Sequence, residues 1–357
     1  MKQINLIIFG IGNVGSTLIK QILEQKDNIT DLQKLDIRIP LIANSTHVFF
    51  SDALTGSWSL DFEKFSEPYK FQDIIDFLQS NDFQHTIAID ATASTNFVKH
   101  YAQLIEAGCH IVSANKVANT LDIEFYKKLR KKLKEHNRLF LYETNVGAGL
   151  PIVETVQNLH RSGEKIKKIR GVFSGSLSYI FNKFSESEAP FSDIVGQATE
   201  KGYTEPDARD DLSGKDVARK LLILARELGL TLNLQDVDVE SLVPSNLNGK
   251  TTLNEFKARI SELDEPFKQK KQSQTNDVLR YVGELDVKTK QLKVELVSTS
   301  KASPLGQLQG ADNIFEVYSE TYTERPLILQ GAGAGKETTA RGLFTDILKI
   351  SKQIAHA

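Results

Sequence analysis

The densest group of potentially reactive side chains lies in the segment Gly202–Lys220, which mixes carboxylates and basic groups. Within it, Asp216 and Lys220 are four positions apart, so on a helix they would share one face. Apolar residues recur at helical spacing through and beyond this pair: Val217, Leu221, Leu224 and Leu228. This stripe predicts a helix that begins near Ser213, with the charged pair at its border. Such a pair could line a pocket and exchange a proton, although spacing alone favours an ordinary surface ion pair.

A second motif, close to the N-terminus, has the residues needed to hold a dinucleotide. The run Gly10-Ile11-Gly12-Asn13-Val14-Gly15 follows an apolar strand candidate and precedes an amphipathic stretch. In such a motif the first glycine permits a tight turn, the second lets the backbone approach a pyrophosphate, and the third permits close helix–strand packing. Backbone N–H groups at the positive end of the helix would bind the phosphates. The alternatives are a purely structural turn and a site for another nucleotide.

The position that would bind the cofactor ribose carries no acid. A carboxylate for the ribose 2′-hydroxyl is expected about 20 residues beyond the glycines, at the end of the second strand. Here the strand candidate Ile37–Ala43 is followed by Asn44-Ser45-Thr46-His47. Without a carboxylate there is no repulsion against a 2′-phosphate, so the sequence favours NADP and leaves NAD open.

A lysine follows another strand candidate, His110–Ala114, in the run Ser113-Ala114-Asn115-Lys116. Open α/β sheets bind ligands at the carboxyl ends of their strands. Position therefore predicts that Lys116 lies at a ligand site, and the alternative is a solvated loop lysine.

The elements that would position these residues fall into two groups. The first 150 residues alternate apolar strand runs with amphipathic stretches, which is typical of a parallel α/β sheet. The strand candidates are Ile4–Phe9, Ile37–Ala43, Thr86–Asp90, His110–Ala114 and Leu139–Glu143. The helix candidates are Val14–Gln25, Phe71–Leu78, Phe97–Ala107 and Ile123–His136. We interpret the aromatic-rich residues 44–70 as a crossover excursion packed on the sheet edge.

After Leu150-Pro151 the pattern changes to a helix, Ile152–Arg161, and strands rich in β-branched residues. These strand candidates are Ile166–Phe173, Val278–Leu285, Leu292–Ser298, Asn313–Ser319 and Leu327–Gln330. They predict a mixed or antiparallel sheet, with Asp264–Asn276 as a surface excursion. The expected fold class is α/β, with a Rossmann-type doubly wound parallel sheet in a dinucleotide-binding domain (1–150) and an α+β domain with a mixed sheet (151–330). A C-terminal helix within 331–357 is expected to pack back on the first domain.

Composition limits the classes of protein that the chain can represent. Its 357 residues are 40% hydrophobic and 25% charged, which suits two soluble domains with buried cores. A formal net charge of -2 gives no basic field for nucleic acid or an acidic membrane surface. Cys109 is the single cysteine, so an internal disulfide and a thiolate cluster are excluded. No apolar run approaches the roughly 18 to 20 residues of a membrane span. We therefore expect a cytoplasmic protein.

Several of these blocks together resemble the homoserine dehydrogenase family. The segment Glu205–Lys220 is similar to the signature of that family, with Ala208 in place of the usual proline. The run Ser174–Ile180 resembles its glycine-containing strand-to-helix loop, with Ser176 where threonine is commoner. Other matching blocks are Ala114-Asn115-Lys116, Asn145–Pro151 and Gly331–Gly335. The resemblance spans essentially the whole chain and is to the short form of the family, with neither an aspartate kinase ahead nor a regulatory domain behind.

The resemblance implies reversible, NAD(P)H-dependent reduction of L-aspartate 4-semialdehyde to L-homoserine, on the route to threonine and methionine. It implies that Lys220 is the general acid/base and that Lys116 lies between cofactor and substrate. It assigns substrate binding to Glu205, Asp216 and Ser176. Its cofactor-binding positions correspond to Gly10, Ile11, Gly12, Asn13, Val14, Gly15, Thr92, Ala114, Lys116 and Gly335. It also implies a homodimer formed through the sheet of the second domain, which would make that domain both catalytic and dimerising.

A monovalent cation, usually sodium in the family, is the other implied ligand. The resemblance places it on mainly main-chain oxygens in the turn after the Leu139–Glu143 strand. The corresponding residues are Glu143, Val146, Ala148 and Leu150. The turn is interrupted by glycines, so carbonyl groups could converge there, but a plain interdomain hinge explains the same pattern equally well.

Two other functions remain to be weighed. A semialdehyde dehydrogenase that forms a thioester needs a cysteine in its catalytic region, whereas Cys109 lies between a helix end and a buried strand and is predicted to be a small core residue. A non-catalytic NAD(P)-binding ligand sensor would have no need of Lys220 beside Asp216 and Glu205. A further group of charges is predicted to be a solvated helix face: Lys127, Lys128, Arg130, Lys131, Lys132 and Lys134.

Overall fold

The chain divides into two units at Gly149. Unit 1 comprises Met1–Gly149 together with the chain from Gly335 onward, and unit 2 comprises Leu150–Ala334. The computed structural model describes residues 1–51, 54–81, 83–249, 251–273 and 277–356. The last residues of the predicted excursion Asp264–Asn276, 274–276, therefore lie outside the described residues.

Unit 1 is built on a sheet of seven strands within its described residues. The strands are β1 Lys2–Phe9, β2 Leu35–Ala43, β3 His47–Phe50, β4 Glu67–Pro68, β5 Thr86–Asp90, β6 His110–Ser113 and β7 Phe140–Leu141. Their order is β4-β3-β2-β1-β5-β6-β7. Strands β2, β1, β5, β6 and β7 are parallel to one another, and β3 and β4 add antiparallel pairings at one edge. The predicted Rossmann-type sheet is confirmed.

Helices pack on this sheet because its central strands are apolar on both faces. Up to Gly149 they are α1 Asn13–Gln33, α2 Trp58–Phe65, α3 Phe71–Ser80, α4 Tyr101–Glu106, α5 Val117–Thr120 and α6 Ile123–Glu135. In β1, Ile4, Leu6 and Ile8 join a core with Leu18, Ile19 and Ile22 of α1. The alternate residues Ile7 and Phe9 join a second core with Ile74, Ile75 and Leu78 of α3. The glycine motif is thus carried between β1, buried on both faces, and α1.

Residues 44–70, interpreted as a crossover excursion packed on the sheet edge, lie at that edge and add two short strands to it. After β2 the chain turns back into β3, passes through α2 and pairs again in β4. Phe62 is buried and Trp58 partly buried against the core shared by β1 and α1. The sequence does not predict β3 and β4, because strands of four and two residues are too short to show an alternating pattern.

The basic helix α6 departs from the prediction at one position. Arg130 is partly buried, and its guanidinium lies over the rings of Tyr126, Phe140 and Tyr142 at 4.4–5.1 Å. It also donates hydrogen bonds to Asn119 Oδ1 and to the Tyr142 hydroxyl. Arg130 was predicted to be solvated because it lies within a run of lysines, but its planar cation stacks on aromatic faces.

Unit 2 is built on a sheet of six strands within its described residues. The strands are β8 Ile166–Val172, β9 Val237–Val239, β10 Asp277–Asp286, β11 Gln291–Ser300, β12 Asp312–Ser319 and β13 Leu327–Ala332. Their order is β13-β12-β8-β10-β11-β9. All pairings are antiparallel except β9 with β11. The predicted mixed sheet is confirmed.

The helices of unit 2 place the polar segment beside that sheet. They are α7 Ile152–Arg161, α8 Gly175–Glu186, α9 Phe191–Glu200, α10 Arg209–Leu212, α11 Lys215–Glu227, α12 Leu253–Arg259 and α13 Asp264–Gln272. Helix α11 is the one predicted to begin near Ser213, and Val217, Leu221 and Leu224 are buried along it. Helix α13 occupies most of the predicted excursion, where Phe267 stacks on Phe191 at 3.8 Å.

The chain ends in helix α14, Lys336–His356. Strand β13 continues through Ala332, so the helix begins later than residue 331. Leu343, Phe344 and Ile347 of α14 join the core that β1 forms with α1. Among the described residues, the helices are all too short or too polar to cross a membrane.

Candidate active site

The glycine loop of unit 1 has the close contacts that its sequence predicts. Gly10 has a φ of +89°, and a Cβ there would lie 2.9 Å from backbone atoms of Ala91. A Cβ at Gly15 would lie 1.8 Å from the Gly10 carbonyl oxygen, whereas one at Gly12 would meet no atom within 4 Å. The open backbone at Gly12 leads into α1, whose first turn has no acidic residue. The loop therefore has space for a phosphate, and the positive end of the α1 dipole would attract its negative charge.

Two further predicted cofactor loops lie beside it. Phe9 at the end of β1 pairs with Asp90 at the end of β5, and Asp90 pairs with Ser113 at the end of β6. The residues that follow these strands therefore share the carboxyl edge of the sheet. They include Thr92 after β5, and Ala114 and Lys116 after β6. Lys116 is half-buried and forms the N-terminal cap position of α5.

A buried carboxylate joins these two loops. Asp90 is 1% exposed, and its Oδ2 accepts hydrogen bonds from the Tyr101 hydroxyl at 2.7 Å and Asn115 Nδ2 at 3.0 Å. Its Oδ1 accepts the Thr92 backbone N–H at 2.8 Å. The Tyr101 hydroxyl also lies 2.8 Å from Ser113 Oγ. Burial raises the pKa of Asp90 while these hydrogen bonds lower it. Asp90 thus fixes the backbone on either side of the predicted cofactor residues.

Asn44 occupies the turn between β2 and β3. Its Oδ1 accepts the backbone N–H groups of Thr46 at 2.8 Å and His47 at 2.7 Å. This is the hydrogen-bonding pattern of an asparagine in a tight turn. The site expected to hold the ribose acid is therefore an uncharged turn at the carboxyl end of β2.

Gly335, the last predicted cofactor residue, precedes α14 in unit 1. Its carbonyl oxygen accepts the Thr339 N–H at 3.0 Å, which begins the hydrogen bonding of that helix. Gln21 of α1 donates to the Glu337 carbonyl at 3.1 Å, so the two helices are linked near this end. The start of α14 is therefore fixed to the helix that the glycine motif opens.

The turn predicted to hold a cation is compact, and its backbone is unusual. Gly147 and Ala148 have φ values of 74° and 53°, both in the left-handed region. The Glu143 and Leu150 carbonyls each accept one backbone N–H, from Val146 at 3.2 Å and Ile152 at 2.9 Å. Within the described chain there is no cluster of three or more His, Cys, Asp or Glu side chains that could hold a metal. Main-chain oxygens are the type of ligand that a hard cation prefers.

In unit 2, Lys220 is held by two acceptors. Its Nζ donates to Asp216 Oδ2 at 2.8 Å and to the Phe173 carbonyl oxygen at 2.7 Å. The Lys220 side chain is 10% exposed and that of Asp216 is 43% exposed. The pair therefore differs from the ordinary surface ion pair that spacing favours. Two of the three N–H donors of the ammonium are used by these contacts.

Asp211 of α10 joins the other two predicted substrate-binding residues. Its Oδ1 accepts the Ser176 hydroxyl at 2.6 Å, and its Oδ2 accepts the Glu205 backbone N–H at 2.8 Å. Burial raises the pKa of the Asp211 carboxyl, and these two hydrogen bonds lower it. Arg209 fixes the neighbouring chain by donating to Asp207 and to the Thr251 carbonyl. The arrangement leaves the Glu205 side chain exposed on a fixed backbone.

The predicted residues thus form one group in each unit. Unit 1 has Lys116, the other cofactor positions, and Glu143, Val146 and Ala148 of the cation turn. Unit 2 has Lys220, Asp216, Ser176, Glu205 and also Leu150. Sequence reasoning gave no role to Asp90, Asp211 or the Phe173 carbonyl. Of these, only Asp211 gave a signal, because it lies inside the polar segment.

Cys109 does not have the properties of a nucleophile. It is fully buried, and burial raises the pKa of its thiol to about 12. A catalytic cysteine needs access and a stabilised thiolate. Its predicted role as a small core residue is confirmed.

Comparisons with known proteins agree with this division of residues. The family described as homoserine dehydrogenase, NAD binding domain, matches residues 10–143, and the family described as homoserine dehydrogenase matches residues 151–348. Bifunctional aspartokinase/homoserine dehydrogenase 1, chloroplastic, of Zea mays is 41% identical over 97% of this chain and 38% of its own length. The chain spans about two fifths of the length of such curated relatives.

Two solved structures have the same fold over nearly the whole chain. One is an unknown function protein of Candida auris, with a TM-score of 0.90, 34% identity and 99% of both chains covered. The other is a hyperthermophilic archaeal homoserine dehydrogenase in complex with NADPH, with a TM-score of 0.75, 22% identity and 98% of both chains covered. Because one family match alone covers residues 151–348 and the second covers the glycine loop, the chain belongs to the homoserine dehydrogenase family.

Proposed function

We propose that the protein catalyses the reversible, NAD(P)H-dependent conversion of L-aspartate 4-semialdehyde to L-homoserine, as an enzyme of amino-acid biosynthesis leading to threonine and methionine. The observation that carries this proposal is the buried ammonium of Lys220, held by Asp216 and the Phe173 carbonyl in a chain of this family. We assign binding of the dinucleotide to unit 1 and binding of the amino-acid substrate to unit 2.

Lys220 is the proposed general acid and base. Hydride addition to the aldehyde carbon leaves negative charge on its oxygen, which an ammonium stabilises before donating a proton. In the reverse direction the neutral amine accepts the proton of the homoserine hydroxyl. Asp216 keeps the Lys220 nitrogen in place at 2.8 Å and supplies a compensating charge.

The other proposed substrate residues bind and orient. The exposed carboxylate of Glu205 suits the α-ammonium group of the substrate. Ser176 donates to Asp211 at 2.6 Å and lies 2.8 Å from the Ser174 hydroxyl, so its own hydroxyl is held in a fixed position. We assign the role of a second cation beside the reacting groups to Lys116.

A nicotinamide cofactor would supply or accept the hydride. Its proposed binding residues are Gly10–Gly15, Thr92, Ala114, Lys116 and Gly335. The uncharged turn at Asn44 supports use of NADP at least as readily as NAD. The residues Glu143, Val146, Ala148 and Leu150 would hold a sodium ion through oxygen ligands, a structural role close to the end of unit 1.

The protein is also proposed to act as a cytoplasmic homodimer on a small-molecule substrate, without nucleic acid or membrane partners. A net charge of -2 and a fully buried single cysteine support this proposal. The dimer contact is assigned to the outer face of the unit 2 sheet.

The test is to mix the protein with L-homoserine and either NADP⁺ or NAD⁺ and follow the absorbance of the reduced nicotinamide. We expect homoserine-dependent reduction of both, with kcat/KM for NADP⁺ at least equal to that for NAD⁺. Binding of homoserine without turnover would contradict the proposal and favour a ligand sensor. A preference for NAD⁺ above about tenfold, or 1.4 kcal/mol, would contradict the cofactor assignment.

A substitution tests the cofactor assignment directly. Asn44→Asp keeps an acceptor for the turn N–H groups and adds a negative charge that repels a 2′-phosphate. We expect the ratio of kcat/KM for NADP⁺ over NAD⁺ to fall about tenfold. An unchanged ratio would show that this turn does not distinguish the 2′-phosphate of NADP⁺ from the 2′-hydroxyl of NAD⁺.

A further inference from the structure

Asn313 of β12 shares a hydrogen-bond acceptor with Lys220. Asn313 Nδ2 donates to the Phe173 carbonyl oxygen at 3.0 Å, and Lys220 Nζ donates to the same oxygen at 2.7 Å. Asn313 is fully buried, and all three residues belong to unit 2. A carbonyl oxygen has two lone pairs. One is therefore used by the amide and the other by the ammonium.

The shared carbonyl lies where the sheet ends. Strand β12 pairs with β8 up to Ile314 and Val172, so Asn313 and Phe173 are the residues just beyond the last pair. After Phe173 the chain leaves the sheet, and Ser174 caps α8. Just beyond this last pair, the Phe173 carbonyl accepts the side-chain amide of Asn313.

The amide of Asn313 is held in one orientation. A Cβ at Gly333 would lie 2.0 Å from Asn313 Cγ, so the backbone after β13 packs directly on this side chain. Rotating the amide by half a turn would place Oδ1 against the Phe173 oxygen, and two acceptors repel each other. In the observed orientation Oδ1 is buried and has no partner within the described part of the chain.

That unpaired oxygen argues against a purely structural role. A buried polar atom without a partner destabilises the folded state, and apolar side chains of similar size avoid the problem. An asparagine at this position therefore needs a reason besides packing. The hydrogen bond beside Lys220 provides one.

We propose that Asn313 is a positioning residue for Lys220: by orienting the Phe173 carbonyl, it fixes the ammonium beside Asp216 with one N–H left for the substrate oxygen. This inference rests on the proposed role of Lys220 as general acid and base. The lysine side chain is long and flexible, so its nitrogen takes a defined position only when its acceptors are themselves held. Asp216 is half-exposed, which leaves the buried carbonyl as the more rigid of the two.

Asn313→Asp tests the proposal with little change of shape. The new carboxylate cannot donate to the Phe173 carbonyl, and it attracts the Lys220 ammonium to a competing position. We expect kcat for homoserine oxidation to fall about tenfold or more, with NADPH affinity unchanged, since a displaced general base loses much of its rate contribution. The pH of half-maximal kcat should rise by about one unit, because a second nearby carboxylate stabilises the charged form of Lys220.

A matched control is available at Asn182 of α8. It is also buried, and its Nδ2 donates to the Gly310 carbonyl at 3.0 Å without contacting Lys220 or Phe173. Asn182→Asp loses a similar buried hydrogen bond but should leave the pH of half-maximal kcat in place. Equal effects of the two substitutions on the pH profile would overturn the proposal.

A second pair covers the case in which the aspartate variants do not fold. Asn313→Ser and Asn182→Ser shorten the side chain and add no charge. We expect the tenfold loss of kcat only in Asn313→Ser, with thermal unfolding recorded for both. A near-normal kcat in folded Asn313→Ser would refute the inference. If Lys220→Ala were inactive in the same assay, the proposed role of Lys220 would still stand; a fully active Lys220→Ala would remove that role, whereas an unsubstituted protein without homoserine turnover would remove the proposed function.

Discussion

At the scale of single residues, the chemistry depends on which groups are held and which are left accessible. Lys220 is buried and has two fixed acceptors, whereas the Glu205 side chain is exposed on a backbone fixed by Asp211. A buried ammonium can stabilise charge that develops in the transition state, since water does not screen it. An exposed carboxylate is better suited to bind the charged end of a substrate. The two residues should therefore affect different kinetic constants.

Glu205→Gln should raise the KM for homoserine about tenfold or more and change kcat much less. The substitution removes the charge that we propose pairs with the substrate ammonium, and it keeps the size of the side chain and the backbone N–H that bonds to Asp211. The measurement is steady-state kinetics at saturating NADP⁺. Glu200→Gln, at an exposed glutamate ending α9, is the control and should leave KM unchanged. An equal fall of kcat with unchanged KM would show that Glu205 takes part in the chemical step instead.

At the scale of elements, the carboxyl edge of the unit 1 sheet depends on side chains that join neighbouring strands. Asp90, Tyr101 and Asn115 connect the loops after β5 and β6. At the opposite end of β6, His110 Nδ1 accepts the backbone N–H of Leu139, just before β7. Buried polar side chains therefore bond to the backbone at both ends of β6, and His110 can accept this hydrogen bond only while Nδ1 is unprotonated.

The pH dependence of stability should report the histidine. Burial, with a smaller effect of Arg138, lowers the pKa of His110 to about 4. The folded state therefore resists a proton that the unfolded state accepts below about pH 6.5, so stability is lost as the pH falls from there toward 4. By about pH 5 the loss should be about 2 kcal/mol. His110→Asn keeps an acceptor for the Leu139 N–H and removes the titration.

Trp58, the single tryptophan, lies in unit 1 and can follow its unfolding in urea by fluorescence. The free energy of unfolding should fall between about pH 7 and pH 5 by about 2 kcal/mol more in the unsubstituted protein than in His110→Asn. The same pH dependence in both proteins would mean that His110 does not stay neutral in the folded state.

The elements were predictable where patterns are long and local. Helix α7 and strand β5 have the bounds that the sequence predicts, because α7 is a complete amphipathic run and β5 is a short segment buried along its whole length. The β7 candidate ran to Glu143, but the strand covers only Phe140–Leu141 before a 3₁₀ turn at Glu143–Asn145. An apolar run gives no sign of where the chain leaves the sheet, and here it turns away after Leu141 although β6 continues to Ser113.

In the candidate site, too, the sequence predicts contacts between residues that are close in sequence but not contacts between distant ones. Spacing places Asp216 and Lys220 on one face of α11, and the structure pairs them. The acceptor Phe173 is far from Lys220 in the sequence, and Asn313 is farther still. These contacts are formed by the tertiary fold, so a local sequence pattern does not predict them. The motif therefore predicts the reactive group, and the structure is needed for what positions it.

At the scale of the whole molecule, the outer face of the unit 2 sheet carries a row of cross-strand neighbours. Register places Ile328 opposite Glu316, Glu316 opposite Arg170, and Arg170 opposite Glu284. The residues beside them in each strand, such as Val317, Ile169 and Leu285, point to the other face and are fully buried. Ile328 is 40% exposed on β13, whereas Glu316 is 3% exposed and accepts the Tyr318 hydroxyl at 3.0 Å. An exposed apolar residue beside charges of both signs fits a self-complementary contact.

Ile328→Glu should therefore weaken the proposed dimer. The substitution adds a buried charge to the contact and a repulsion with Glu316 across the strands, so the expected mass by light scattering shifts from dimer toward monomer at micromolar concentration. The control is Leu60→Glu on α2, at a residue that is 66% exposed in unit 1. A monomeric unsubstituted protein, or a dimer that Ile328→Glu leaves intact, would contradict this placement.

In the proposed mechanism, Lys220 performs the proton transfer of homoserine oxidation while the cofactor is bound to unit 1. The most direct measurement compares Lys220→Ala with Lys215→Ala, an exposed lysine on the same helix, by kcat with homoserine and by NADPH binding fluorescence. We predict that kcat falls roughly 10²-fold or more in Lys220→Ala, the range for removing a general acid/base, and that the Kd for NADPH is unchanged. Lys215→Ala should match the unsubstituted protein in both measurements. A folded Lys220→Ala variant with near-normal kcat would contradict the role of Lys220 as general acid and base.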